Sequence, residues 1–183
     1  VVIAATLLLC ASAGLAVWVW RAMDPHVQMT AVFNQYLGEF QTHPEQAQEV
    51  LRSRYDGRPL GSGALGTGQF TPNAPQALPH GFTRLGTYVL DMPCCTCTQT
   101  IYKNGEGDVL ALFEHSENQR MWFGNRPIIE ATCDGQSTFV VQLHDRLAAS
   151  WKCGPRHLTV IGARNIEQVA ELVAFLDSQR SGS

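Results

Sequence analysis

Cys97-Thr98-Gln99-Thr100-Ile101-Tyr102-Lys103, Asn104-Gly105-Glu106-Gly107 and Asp108-Val109-Leu110-Ala111-Leu112-Phe113-Glu114 read in succession as strand, turn and strand. β-Branched and aromatic residues fill both flanking runs, and the Asn-Gly step between them is a strong hairpin signal because both residues tolerate positive φ. Phe82 to Asp91 has the same texture on the N-terminal side. On the C-terminal side, Thr138 to Leu143, Leu147 to Lys152 and His157 to Ile161 form a second group, with Asp145-Arg146 and Gly154-Pro155 marking the turns. Asn165 then opens a last helix, with Gln168 in a capping-box-like position and Ile166, Val169, Leu172, Val173 and Leu176 along one face. Six strands and one covering helix predict an α+β module over residues 82–178 with a mainly antiparallel sheet, followed by a short tail, 179–183.

The period changes upstream. Between Gly57 and Gly81 there are six Gly and four Pro with few large apolar residues, so 57–81 is expected to be a linker. Before it, Met29, Val32, Phe33, Tyr36, Leu37 and Phe40 recur at three- and four-residue spacing and predict an amphipathic helix from Val27 to Phe40. Thr42 and Pro44 mark the start of a second, with Ala47, Val50 and Leu51 on its inner side. Together they are expected to form a helical stalk over 22–56.

Val1 to Trp20 contains no charged residue and is closed by Arg21. A run of that length at helical rise crosses the hydrocarbon core of a bilayer. Ala11-Ser12-Ala13 has the small-x-small look of a signal cleavage site, but the apolar run continues through Leu15, Val17, Trp18, Val19 and Trp20. That length, and two Trp residues suited to the interface, favour a retained transmembrane helix over 1–21, with membrane lipid as its partner. The chain is therefore expected to be a single-pass protein of the inner membrane with its soluble part in the periplasm. That part is about 160 residues, the size of one domain with a proper core. With 13 basic and 16 acidic residues and no Lys/Arg cluster, no nucleic-acid partner is expected.

Five cysteines lie beyond this apolar run, and three of them fall in Cys94-Cys95-Thr96-Cys97. Counting antiparallel reversals along the expected strands brings this turn, His115, Cys133, Cys153 and His157 to one end of the sheet. Thiolate and imidazole ligands in such numbers suit a soft or borderline ion, so Cys94, Cys95, Cys97, Cys133, Cys153 and His115 are the candidate ligands for Cu or Zn. The alternative reading is structural, with disulfides such as Cys97 to Cys133 or Cys95 to Cys153 stapling a long loop to the sheet. Redox catalysis has less behind it, because no helix is expected to follow Cys94 and Cys97 and lower a thiol pKa. No catalytic residue is assigned: His144 beside Asp145 has no supported nucleophile nearby, and His26, His43 and His80 sit at helix margins or in the linker. Neither nucleotide binding nor zinc-protease chemistry is expected, with no G-x-G-x-x-G, P-loop or H-E-x-x-H motif assigned. Trp122 and Phe123 form an apolar knot that either closes the segment Ser116 to Gln136 or presents an aromatic anchor to a partner.

The order of apolar run, helical stalk, Gly/Pro-rich segment and strand series resembles the extracytoplasmic part of membrane-anchored anti-sigma factors of the zinc-finger family. The resemblance is carried by Phe82-Thr83-Arg84-Leu85-Gly86, by Val109-Leu110-Ala111-Leu112-Phe113, and by Trp151-Lys152-Cys153-Gly154 through Leu158-Thr159-Val160-Ile161-Gly162. Ile166 to Leu176 is similar to the terminal helix that follows, so the likeness covers roughly residues 27–177. It implies a non-catalytic regulatory role, in which a cytoplasmic zinc-binding segment preceding Val1 would hold a sigma factor. The cysteine-rich turn departs from the family pattern, and its chemistry is not implied by the resemblance. Two other functions remain open at this stage: an accessory single-helix subunit of an integral membrane complex, and a Cys-rich copper or zinc binding domain.

Overall fold

The computed structural model describes residues 25–60, 74–116 and 120–181. The expected transmembrane helix over 1–21, with Cys10, lies outside these residues; among the described ones no helix is long and apolar enough to cross a membrane. The chain is α+β, with a mainly antiparallel sheet and a C-terminal helix. In chain order the elements are α1 (Pro25–Thr42), α2 (Pro44–Arg54), β1 (Arg58–Pro59), β2 (Ala77–Leu78), β3 (Phe82–Asp91), β4 (Thr96–Lys103), β5 (Val109–His115), a 3-10 turn (Arg120–Phe123), β6 (Ile128–Cys133), β7 (Gln136–Leu143), β8 (Arg146–Cys153), β9 (Arg156–Ala163) and α3 (Ile166–Ser181). The strands form one nine-stranded sheet in the order β1-β3-β4-β5-β9-β8-β7-β6, with β2 also on β3 and every pairing antiparallel.

Nine strands replace the six expected, and each addition has a local cause. The Gly/Pro-rich segment expected to be a linker contributes β1 and β2, whose residues pair with β3 at Tyr88–Val89 and Phe82–Thr83. Pro59 is tolerated there because β1 lies at the sheet edge. The third addition, β6, is joined to β7 by Asp134-Gly135, both at positive φ (48° and 78°), the two-residue turn that Asp-Gly favours. Gly154, at φ 61°, makes the β8–β9 turn with Pro155.

Residues alternate across the sheet, so each strand feeds two cores. On the first face, Leu90, Cys97, Ile101, Ala111, Phe113 and Ile161 pack with Met29, Phe33, Tyr36, Leu37 and Phe40 of α1 and with Ala47 and Leu51 of α2. On the second, Tyr102, Leu110, Leu112, Trp151, Leu158 and Val160 pack with Val169, Leu172, Val173 and Leu176 of α3. The two helices expected as a stalk are therefore a layer of the domain. Their apolar stripe needs a partner surface, and the sheet provides it. The α3 start matches the sequence reading: Asn165 Oδ1 accepts from Gln168 N at 2.9 Å, and Gln168 Oε1 accepts from Arg164 N at 2.7 Å.

At the far end of the sheet, Asp108 accepts from Arg164, from Arg146 (2.9 Å) and from Asn104 (3.2 Å). Burial pushes the Asp108 pKa up, but these partners outweigh it and hold the carboxyl below its usual range. A carboxyl with a depressed folded pKa stabilises the fold above its unfolded pKa, about 3.9, and loses that contribution as pH falls through the folded value. Asp108→Asn is expected to cost about 1 kcal/mol at neutral pH. It should also shallow the acid limb of stability below about pH 4, measured by denaturant titration across pH.

Gly162 shows how closely α1 lies on the sheet. Its φ is 102°, and a Cβ there would stand 2.6 Å from the Val109 carbonyl oxygen and 2.9 Å from the Phe40 ring. Gly162→Ala is expected to destabilise by about 2–4 kcal/mol through strain and overpacking. Gly38→Ala, at an open helical position, should stabilise by about 0.5–1 kcal/mol. Equilibrium unfolding of the two variants checks both.

A sulfur-rich turn as the candidate functional site

The strand reversals do bring the cysteines to one end of the sheet. Asp91 pairs with Thr96, His115 with His157, Cys153 with Arg156 and Cys133 with Gln136, all at the same pole. Parity along a strand says nothing of the face, however. Cys94, Cys95 and Cys97 belong to the first core, whereas Cys133 and Cys153 lie in the second, across the sheet. Strand spacing also puts β4 and β8 about 14 Å apart and β8 and β6 about 10 Å apart. The six-residue ligand set is accordingly not one site. The staples Cys97 to Cys133 and Cys95 to Cys153 exceed disulfide reach, and none of the five described cysteines forms a disulfide.

His115 is likewise taken from the set. It is fully buried on the first face, its Nε2 is 2.9 Å from Thr159 Oγ1, and its ring packs between Trp122 and His157 (centroids 4.8 and 5.8 Å). Thr159 donates onward to Ser150 Oγ at 3.0 Å, so the hydroxyl is left to accept from His115 Nε2–H. This chain of hydrogen bonds is a satisfied polar thread through the core. His157 is held below its usual pKa by burial and by Lys152.

What remains together is the β3–β4 turn. Met92 and Cys95 exchange both backbone hydrogen bonds, each 3.2 Å, leaving Pro93-Cys94 as a two-residue loop. Such a pair presents both side chains to one face. Cys94 Sγ lies 3.5 Å from Cys95 Sγ, and Cys97 Sγ donates to Met92 Sδ at 3.3 Å. Four sulfur atoms in six residues thus gather on the face roofed by α1. Met92 was missed because thioethers carry no charge and resemble packing residues; its spacing to Cys95 across the turn was the available signal.

The surroundings keep Cys94 and Cys97 protonated. The Cys94 pKa is raised by its hydrogen bond to Cys95, by burial and by the neighbouring Cys95 and Cys97; the Trp122 indole acts in the opposite direction. Cys97 is raised by burial first, then by Cys95 and Asp91. Elevated thiol pKa values are the reverse of what a thiol oxidoreductase needs. Trp122 is fully buried, its ring 4.7 Å from Phe33 and 5.4 Å from Phe113, and Phe123 is buried beside it, so this knot closes the core. Its Nε1 has no nitrogen or oxygen partner among the described residues. Its polar influence falls on Cys94.

Beyond this turn, His144 and Asp145 form a hairpin loop, with His144 at φ 47°, and His80 pairs with Glu171 at the surface. The expectation that the chain carries no G-x-G-x-x-G motif is corrected by Gly61-Ser62-Gly63-Ala64-Leu65-Gly66, which has the glycine spacing of a dinucleotide fingerprint. The strand before it, Arg58–Pro59, is a two-residue edge strand, not the central parallel strand that motif requires. Among the described residues no three His, Cys, Asp or Glu side chains converge to hold a metal ion. Compared with protein families, with curated proteins and with solved structures, the chain matches none.

Exposure orders the thiols. Cys94 and Cys95 are half-buried, while Cys97, Cys133 and Cys153 are buried. Peptide mapping after iodoacetamide treatment of the folded, reduced protein should find Cys94 and Cys95 labelled first and the other three only after unfolding. Labelling of Cys94 should stay slow through neutral pH, because its raised pKa withholds the thiolate, which is the reactive form.

Proposed function

We propose that the chain is a non-catalytic regulatory module, tethered to a membrane by its N-terminal apolar run and working as the extracytoplasmic domain of an anti-sigma-type protein works. One observation supports this reading most. The helix that follows the apolar run is built into the domain core, with Phe33, Tyr36 and Phe40 packed on the sheet and on Trp122. A tether joined to such a helix is coupled to the state of the whole domain, because α1 cannot shift without opening its apolar face to water. The thiol turn lies under the same helix, so an event there bears on α1 directly.

The described thiols with resolved shifts are held protonated, and the buried His115 is held in a hydrogen-bonded thread. The sigma-binding part would lie on the other side of the membrane, before Val1.

The test is co-purification from the native membrane with the gene's full product as bait. A sigma factor is expected to accompany it, bound through the segment upstream of Val1. Recovery instead as a stoichiometric subunit of an integral membrane complex would replace this reading with the accessory-subunit one.

A further inference from the structure

We infer that the β3–β4 turn is a binding site for one soft monovalent metal ion, Cu(I) or Ag(I), held by Cys94 and Cys95 with Met92 as the third sulfur. The inference concerns binding alone and stands whether or not the regulatory reading does.

Two observations carry it. The first is the donor set: two thiols and a thioether, with a further thiol, Cys97, behind the thioether. Ligands of this kind select Cu(I) over harder ions, and thioether sulfur in particular adds little for Zn(II). The second is geometry. Sulfurs about 2.3 Å from a shared ion stand roughly 3.8 Å apart at a tetrahedral angle, so the 3.5 Å between Cys94 and Cys95 needs only a small opening. The paired backbone of Met92 and Cys95 fixes the turn that presents them.

Access exists as well. A cleft lined by Met29, Tyr55, Asp91, Met92 and Pro93 opens beside the turn. On binding, the two S–H groups release their protons to solvent and the thiolates take the ion, with no change of oxidation state. Neutral thiols give way to one complex in which a single positive charge offsets two negative ones.

The test is Cu(I) titration of the reduced, folded chain against a chromophoric Cu(I) chelator, repeated with Ag(I) and with Zn(II). One Cu(I) per chain is expected, with Ag(I) competing for the same site and Zn(II) failing to displace it. Because Cys94 and Cys95 are half-buried, C94S/C95S should keep the wild-type circular dichroism spectrum while binding more than about 100-fold more weakly. Met92→Leu should weaken Cu(I) about tenfold and leave the fold intact. Full affinity in folded C94S/C95S, no uptake by the reduced wild-type chain, or Zn(II) bound as tightly as Cu(I) would each overturn the inference. X-ray absorption showing nitrogen or oxygen neighbours around copper would do the same.

Discussion

The packing of the α1 aromatic stripe on the first face of the sheet is the contact on which the rest of this structure depends. Phe33 touches Tyr36, Phe113, Trp122 and Phe123 with ring centroids between 4.7 and 6.3 Å, and Tyr36 adds Phe40 and Phe113. Each fully buried ring of this kind is worth about 1.5–3 kcal/mol by transfer alone, with more from the edge-to-face geometry. A single sheet with one covered face would leave its other face in water. Here α1 and α2 cover one side and α3 the other, so the nine strands are the middle layer of three.

Several polar groups inside the first core are paired. Gln99 donates to the Tyr36 hydroxyl at 3.2 Å, and burial pushes that phenol pKa up strongly. His115, Thr159 and Ser150 form a second thread. These threads sit on the same sheet face as the thiol turn and absorb the groups that might otherwise have served as acids or bases.

Several parts of the fold were legible because the local pattern and the tertiary outcome agree. The strands around the Asn104-Gly105 turn, the β7–β8–β9 meander and the Asn165-capped helix fall close to where alternation and capping put them. Strand β6 was legible in principle, since Asp134-Gly135 is a hairpin signal as strong as Asn104-Gly105, but Ile128 to Cys133 shows little burial alternation as an edge strand. Strands β1 and β2 were not legible. Two residues carry no period, and only the free edge of β3 decides that Arg58–Pro59 and Ala77–Leu78 pair with it.

The cysteines divide along the same line. Order along the chain and antiparallel reversal determined which pole of the sheet each one occupies, because each hairpin inverts direction whatever its neighbours do. Which face each occupies was settled by the tertiary structure, since a shift of one residue in register exchanges the two cores. That choice leaves Cys94, Cys95, Cys97 and Met92 under α1 and sends Cys133 and Cys153 to the α3 side. The sequence by itself specified the elements, their turns and their common end. The helix layers, by demanding apolar partners on both sides of the sheet, decided which sulfur atoms could meet.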